Sequence, residues 1–538
     1  VMADKVFGID LGTTYSCISH IDSFGRPEVI QNMDGDPTTP SVVHFQGEDV
    51  VVGKLAKRSA RIDPDNVAQL VKRHMGDSAW RFNAGGREWS ASGIASLILG
   101  ALVKDAERAT GEKVNDVVIT VPAYFGDEER KTTKLAGELA GLNVLDLINE
   151  PTAAAYTYGF AQSGSAEETV LVYDLGGGTF DITIIRLDAE GIRVVATDGD
   201  HELGGANWDS ELAGFLAEQF MAQQPDAPDP FDDVYAEADL MTQAEDVKQS
   251  LTQRATADVL VTSGSARASV TVSREDFEDA TRSLLERTIE LTRRALDAAK
   301  ERGVDGIDRC LLVGGSSKMP AVDRRMREEF GFDPQLTDPD LAVAKGAALY
   351  GQKKLLERVV DDATSRGVDL NKAVADAAAE HGMTSETVQQ IVLTKIQNVC
   401  SRGFGVIALR DDVDTACFLV HRNDPLPIDV DETFFTVIDD QPSVRVRVFE
   451  QGGGEESERP EDNFILIEGD IQDLPPGYPR GTELRVHFGM GNDGMLEVTA
   501  HHAGQSQPLT LKAETGAAMS PEQIADERAA VSDLKETL

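Results

Sequence analysis

The sequence predicts a layered α/β domain over residues 1–352, a separate all-β domain over 398–513 and a short C-terminal helix, in a chain of 538 residues. Three observations lead there. Up to about residue 352, short apolar runs that read as strands alternate with long amphipathic segments, the rhythm of strands layered against helices. From about 398 the apolar period switches to two, the mark of half-buried antiparallel strands. Two distant segments also say nearly the same thing: Val6-Phe7-Gly8-Ile9-Asp10-Leu11-Gly12-Thr13-Thr14 and Leu171-Val172-Tyr173-Asp174-Leu175-Gly176-Gly177-Gly178-Thr179.

Each of these segments is a buried strand that ends in aspartate, then glycine, then threonine. Glycine lets backbone amides close on an anion, threonine adds a hydroxyl donor, and a carboxylate at the strand end can hold a divalent cation through its waters. One such turn is a weak signal, but a duplicate in matching context makes a two-sided phosphate clamp. Between the turns, Val67-Ala68-Gln69-Leu70-Val71-Lys72-Arg73 reads as an ordinary helix with a solvated face, and its spacing does not single out Lys72. Val117–Val121 reads as a strand, followed by a helix around Glu128–Ala140.

In Ile148-Asn149-Glu150-Pro151-Thr152 a lone acid precedes a proline-initiated, alanine-rich helix. Glu150 is either a helix-start acid favoured by the dipole or a group that orients a water near the phosphates. The strand Leu311–Val313 runs into Gly314-Gly315-Ser316-Ser317-Lys318-Met319-Pro320. That stretch reads as a strand-to-helix turn, or as bare backbone against which an adenosine lies with Lys318 over the base.

Over 353–397 strands vanish, and Leu355-Leu356, Val359-Val360, Ala373-Val374 and Ala377-Ala378 recur at helical spacing. A stop at Gly382 and a restart at Thr384 or Ser385 predict two helices there. Strands of period two follow at Ser443–Val448, Phe464–Ile467, Leu484–Phe488 and Met495–Thr499, with 451–460 as a solvated hairpin loop. Ser520-Pro521-Glu522-Gln523 reads as a capping box that opens the last helix.

The balance of 51 basic against 93 acidic residues gives a net charge of −42, which repels nucleic acid and anionic membranes. Cys17, Cys310, Cys400 and Cys417 lack CxxC spacing and neighbouring histidines, which argues against a disulfide framework or zinc site and fits a reducing cytoplasm. No apolar stretch approaches the ~20 residues of a membrane helix, and residues 1–5 run into a strand without a signal-peptide core. A cytoplasmic protein, monomeric and binding neither nucleic acid nor membrane, is expected.

With these motifs in view, residues 6–352 resemble the actin-like, two-lobed ATPase domain of the heat-shock protein 70 (DnaK-type) chaperones. Residues 398–513 are similar to that family's β-sandwich peptide-binding domain. The resemblance rests on Gly8–Ser16, Val121–Phe125, Ile148–Ala155, Asp174–Asp181, Leu203–Gly205 and Leu312–Ser316. It implies an Mg2+-dependent ATP hydrolase that binds extended hydrophobic polypeptide under control of ATP and ADP. Asp10 and Asp174 would hold Mg2+ through water, with Glu150 and Asp181 close by. Gly12, Thr13, Thr14, Tyr15 and Gly176, Gly177, Gly178 and Thr179 would bind the phosphates, and Lys72 would position the attacking water.

The resemblance also assigns Gly204 and Gly205 to the nucleotide site. Glu245, Lys248 and Thr252 match the adenosine-contacting helix, Gly314, Gly315, Ser316 and Lys318 the adenine loop, and Asp340 a supporting acid. Pro122 and Arg130 fall where the family relays the nucleotide state to the partner domain. Val406, Ala408, Leu409, Phe435, Ile438, Val444 and Val446 fall on positions that line the peptide channel. Read without the resemblance, those alternating apolar residues are sandwich core.

Four departures stand out. Gln249 and Lys318 replace the two arginines that commonly clamp adenine, which removes stacking. The interdomain linker reads Val392–Asn398 and closes a segment, 353–397, that combines a helical insertion with the linker. Asp146 reverses the charge of an arginine that meets a J-domain co-chaperone. Residues 514–538 supply only the start of a helical lid, so bound peptide should leave quickly. J-domain and exchange-factor partners are implied but not named by these residues. A nucleotide-switched scaffold with one dedicated partner is the alternative function, and the β domain argues against a sugar kinase on the same fold.

Overall fold

The computed structural model describes residues 5–162, 167–336, 341–410, 413–436, 438–471, 476–502, 511–515 and 519–535. The repeat in the sequence is a repeat in topology. In the first lobe, strand Val6–Asp10 has parallel Asp116–Val121 and then Asn143–Asn149 on one side, and antiparallel Tyr15–Ile21 and then Pro27–Ile30 on the other. In the second lobe Glu168–Leu175 occupies the same place. Arg309–Val313 and Pro334–Leu336 run parallel on one side, and Phe180–Asp188 and Gly191–Asp200 antiparallel on the other. Each central strand therefore delivers its Asp-Gly turn at the same edge of its lobe.

Val170, Leu171, Val172 and Tyr173 are all fully buried, so both faces of this strand are covered, as in parallel sheets flanked by helices. Helices Glu150–Gln162 and Ala342–Ser365 fill the seam between the lobes, in one core with Val6, Val118, Val170 and Val172. Their approach requires glycine. A Cβ on Gly346 would stand 1.9 Å from the Ala153 carbonyl oxygen, and one on Gly8 would stand 2.1 Å from the Ala348 nitrogen. The seam fixes where the two turns meet.

Three findings differ from the sequence-based expectation. Val67–Arg73 is not a helix: Val67–Ala68 is a short strand and Val71–His74 a single 3-10 turn. The boundary at 352 falls inside helix Ala342–Ser365, and two further helices follow, Leu370–Glu380, capped by Asp369, and Ser385–Leu393, capped by Thr384. The same segment ends in a strand, Lys395–Gln397, which extends the second-lobe sheet parallel to Gly191–Asp200.

That strand is held at both ends. Before it, Lys353, buried on the long helix, donates to the Ile391 and Val392 carbonyls (3.2 and 2.9 Å) and so caps helix Ser385–Leu393. After it, Asn398 Nδ2 donates to the Asn492 carbonyl (2.9 Å), and Asn398 Oδ1 accepts from Thr152 Oγ1 (3.1 Å). Lys353→Met removes a cap worth about 1–2 kcal/mol. Amide hydrogen exchange at residues 395–397 should therefore accelerate by about 5–30-fold, and unchanged exchange would show that the helical segment does not anchor the strand.

The β domain is a sandwich. One sheet carries, in order, Val413–Val420, Phe404–Arg410, Val444–Glu450, Phe464–Ile471 and Leu511–Thr515; the other carries Ile428–Phe435, Glu483–Met490 and Leu496–His502. Along Val444–Glu450, Val444, Val446 and Val448 point into the core while Arg445 and Arg447 face outward. A register shift between Val448 and Phe449 ends this alternation and buries Glu450 against the ATPase domain.

There Glu450 Oε1 accepts from the Asp127 backbone N–H (3.1 Å) at the start of helix Asp127–Leu139, and Glu450 Oε2 pairs with Arg402 (3.1 Å). Arg130, fully buried, donates to the Asp493 carbonyl (2.9 Å) and to Asn149 Oδ1 (2.9 Å). The last helix, Pro521–Lys535, opens on the expected box: the Ser520 N–H donates to Gln523 Oε1 (2.8 Å), and the Gln523 N–H to Ser520 Oγ (3.2 Å). It lies on the first lobe, where Glu527 accepts from the Ser90 N–H (2.9 Å) and hydroxyl (2.8 Å).

Candidate nucleotide site

The seam brings the two glycine turns face to face. A Cβ on Gly177 would stand 2.2 Å from Thr14 Oγ1, and one on Gly178 would stand 2.2 Å from Thr13 Cγ2. Nothing larger than glycine lets the turns close to this separation. Asp10, Gly12, Thr13, Thr14 and Tyr15 of the first lobe share one cleft of about 680 Å3 with Asp174, Gly176, Gly177 and Thr179 of the second. Each turn is fixed by its own neighbours: Ser41 Oγ donates to the Gly12 carbonyl (2.7 Å), and the Gly176 N–H to the Thr179 carbonyl (3.0 Å).

Beside the turns lies a cluster of carboxylates, of which Glu150, Asp174 and Asp181 are buried. Burial, then the nearby charges of Glu150, Asp181 and Asp10, hold the Asp174 carboxyl well above its usual range. Burial and Glu150 push Asp181 up to about 8, although the Tyr124 N–H donates to it at 2.9 Å. Thr120 Oγ1 donates to Asp10 Oδ1 (3.1 Å). A buried cation facing this cluster is Lys72, 5% exposed, whose Nζ lies 2.5 Å from Glu150 Oε1 and 5.7 Å from the centre of the Phe125 ring.

Lys72 is therefore not on a solvated face. The single 3-10 turn aims it inward, a feature with no periodicity for a sequence reading to detect. Glu150 opens its helix, as the residue pattern allows, and also lines the cleft. Carboxylates in such excess over positive charge favour a hard divalent cation held through its own waters. Among the described residues, no three histidine, cysteine or acidic side chains converge on a metal position.

At the far end of the cleft stand Glu245, Lys248 and Thr252, with Gly314, Gly315, Ser316 and Lys318 opposite. Lys57 of the first lobe reaches Glu245 Oε1 (2.7 Å) and Tyr15 Oη (3.0 Å) and so bridges the cleft mouth. Lys248 Nζ pairs with Asp209 (2.7 Å) and donates to the Gly205 carbonyl (3.0 Å). Gln249 and Lys318 are exposed at the rim of the same cleft. Asp181, Gly178, Gly204 and Gly205 do not line the cleft but pack directly behind it; a Cβ on Gly204 would stand 2.4 Å from the Gly178 backbone. Asp340 lies outside the described residues.

Lys57, Asp209 and Ser41 carry no signal in the sequence that marks them for the site. Asp146, expected at a partner surface, accepts from Tyr350 Oη (2.9 Å) and pairs with Lys354 (2.7 Å). Of the residues expected to line a peptide channel, Val406, Val444 and Val446 are buried in the sandwich core with Phe404, Val420 and Leu484. Their inward pleat places them there, as the pattern read without the resemblance predicts. Ala408 is half-buried, whereas Leu409, Phe435 and Ile438 are 69%, 55% and 56% exposed.

Two lobes of like topology, each sending a glycine turn and an aspartate into one cleft, define the class: a two-lobed, actin-like ATPase fold. A family model described as Hsp70 protein matches residues 6–357 and 352–536. The chain belongs to the Hsp70 family. Members of this family are ATP-dependent chaperones; they hydrolyse ATP, use ATP, ADP and Mg2+, and bind unfolded polypeptides with J-domain and exchange-factor partners. Among the described residues, no helix is long and apolar enough to cross a membrane.

Proposed function

We propose that this chain hydrolyses ATP in the cleft between its lobes and uses the cycle to control binding of extended hydrophobic polypeptide by its β domain. The observation that carries this reading is the contact of Thr13 and Thr14 with Gly178 and Gly177 above the buried carboxylates. Asp10 and Asp174 would hold Mg2+ through water, which supplies charge neutralisation at the phosphates. Gly12 to Tyr15 and Gly176, Gly177 and Thr179 bind the phosphate oxygens, and Lys72 and Glu150 orient the water. That water bonds to the γ-phosphorus, the bond to the ADP oxygen breaks, and the products are ADP, phosphate and a proton.

Exposed Leu409, Phe435 and Ile438, with Ala408, offer apolar side chains at one end of the sandwich, where an extended segment would be met by main-chain bonding and shallow pockets. Val406, Val444 and Val446 are buried in the sandwich core beside them. A second reading, a switched scaffold with one dedicated partner, is favoured by Asp146, which is engaged within the chain by Tyr350 and Lys354. Peptide affinity measured with ATP and with ADP tests the proposal. Unrelated hydrophobic peptides should bind more tightly with ADP. Binding of none of them supports the scaffold, and equal affinity in both states contradicts nucleotide control.

A further inference from the structure

Three successive carbonyls of the second-lobe turn are fastened by donors outside the turn. The Gly176 carbonyl accepts from the Gly205 N–H (2.9 Å) and the Gly177 carbonyl from the Ala206 N–H (2.8 Å), both from the start of helix Gly205–Gln223 in the same lobe. The third belongs to Gly178, and its donor comes from the other lobe: Arg73 Nε, at 3.0 Å. The same guanidinium donates to Asn207 Oδ1 (2.6 Å), which also accepts from the Gly204 N–H (2.9 Å).

A trans peptide points its N–H opposite to its C=O. Fastening the carbonyls of residues 176, 177 and 178 outward therefore turns the N–H groups of Gly177, Gly178 and Thr179 the other way. Gly176, Gly177 and Thr179 line the cleft, whereas Arg73 and Asn207 do not. The bonds to Arg73 thus lie on the back of the turn and the amide donors on its front. Two of the three peptides are set within the second lobe alone; the third, Gly178–Thr179, is set only when the first lobe is in place.

We infer that Arg73 is a positioning residue for ATP hydrolysis: it fixes the Gly178–Thr179 peptide from behind and so makes the phosphate-facing donor of Thr179 depend on closure of the lobes. Arg73 does not line the cleft. It follows Lys72 on the same 3-10 turn, Val71–His74, so one short element places the cleft lysine and also locks the opposite glycine turn. A donor aligned before the charge develops stabilises the transition state without reorganisation, so its loss falls on kcat and not on ground-state binding. Lysine cannot replace the planar fork that reaches two acceptors at once.

The inference rests on the cleft being the ATP site, and the test separates the two. Single-turnover and steady-state hydrolysis are measured on the full chain for the wild type, Arg73→Ala, Arg73→Lys and Asn207→Ala. The expected result is a fall in kcat of about tenfold in Arg73→Ala, less than the ~10²–10³ that follows loss of a direct donor, with KM for ATP changed much less. Arg73→Lys should stay low, and Asn207→Ala should fall in the same direction by a smaller factor. Wild-type rates in Arg73→Ala, or full recovery in Arg73→Lys, would overturn the inference while leaving the ATP site standing. A wild type that does not hydrolyse ATP would overturn the reading of the cleft and this inference with it.

Discussion

Lys72→Ala will lower the rate of ATP hydrolysis by about 10²–10³-fold while ADP still binds. Lys72 is a buried cation among Asp10, Glu150, Asp174 and Asp181, and its ammonium lies 2.5 Å from Glu150. In the proposed site it orients the water and offsets charge that develops during phosphoryl transfer, so the loss belongs to the chemical step. Removing one partner of a buried pair costs about 3–5 kcal/mol if the other stays charged. The chain should still fold, with a lower melting temperature. Single-turnover hydrolysis beside ADP binding checks this: a variant that binds ADP and hydrolyses ATP at the wild-type rate removes Lys72 from the mechanism.

Arg402→Ala will release the β domain from the ATPase domain at pH 8 and allow it to re-dock at pH 6. Arg402 is the cation paired with Glu450 (3.1 Å) and also approaches Glu129 (3.4 Å) and the Tyr124 ring (5.0 Å). Without it, Glu450 faces Asp127 and Glu129 from a buried position, a loss of about 3–5 kcal/mol while it is ionised. Burial, even against the pull of Arg402, already pushes the Glu450 carboxyl up to about 7, from an ordinary 4.5.

The sign follows from that shift. A carboxyl raised in the docked state binds more protons docked than free, so its contribution is full below about 4.5 and is lost as pH rises through about 7. Loss of Arg402 moves that upper limit further up, and acid therefore restores docking. Small-angle scattering at the two pH values should show an expanded particle only at pH 8. In Arg402→Ala with Glu450→Gln, both charges are gone and docking should recover. An unchanged particle in the single variant would show that the pair does not hold the domains together.

How far the sequence could be read followed the range of the interactions. The twin turns were legible because strand, carboxylate, glycines and threonine lie within one short segment, and their duplication supplied the second lobe. The capping box at Ser520 and the acid at Glu150 were legible for the same reason. Lys72 was not, because one 3-10 turn carries no period and its inward aim is set by Glu150, far along the chain. Arg73 and Asn207 meet only when the lobes close, and neither lies in a motif. The strand Lys395–Gln397 is too short for a period-two signal and exists because Gly191 leaves room: a Cβ there would stand 2.0 Å from the Lys395 carbonyl oxygen. Arg402 precedes strand Phe404–Arg410 and Glu450 ends Val444–Glu450 on the same parity as Val446 and Val448, so neither position signals an ion pair at a domain surface; the register shift beside Phe449 and the docked surface bring the two together.

Calorimetric titration of ADP into the full chain tests most directly whether the two turns grip a nucleotide above carboxylates that share a cation. Asp181, held at about 8 without a cation, is largely protonated at pH 7. A divalent cation entering the cluster would favour the ionised form. ADP with Mg2+ should therefore bind at one site per chain, more tightly than ADP alone, and with release of protons that shows as a dependence of the heat on the buffer. Binding that ignores Mg2+ and releases no proton, or no binding at all, would contradict it.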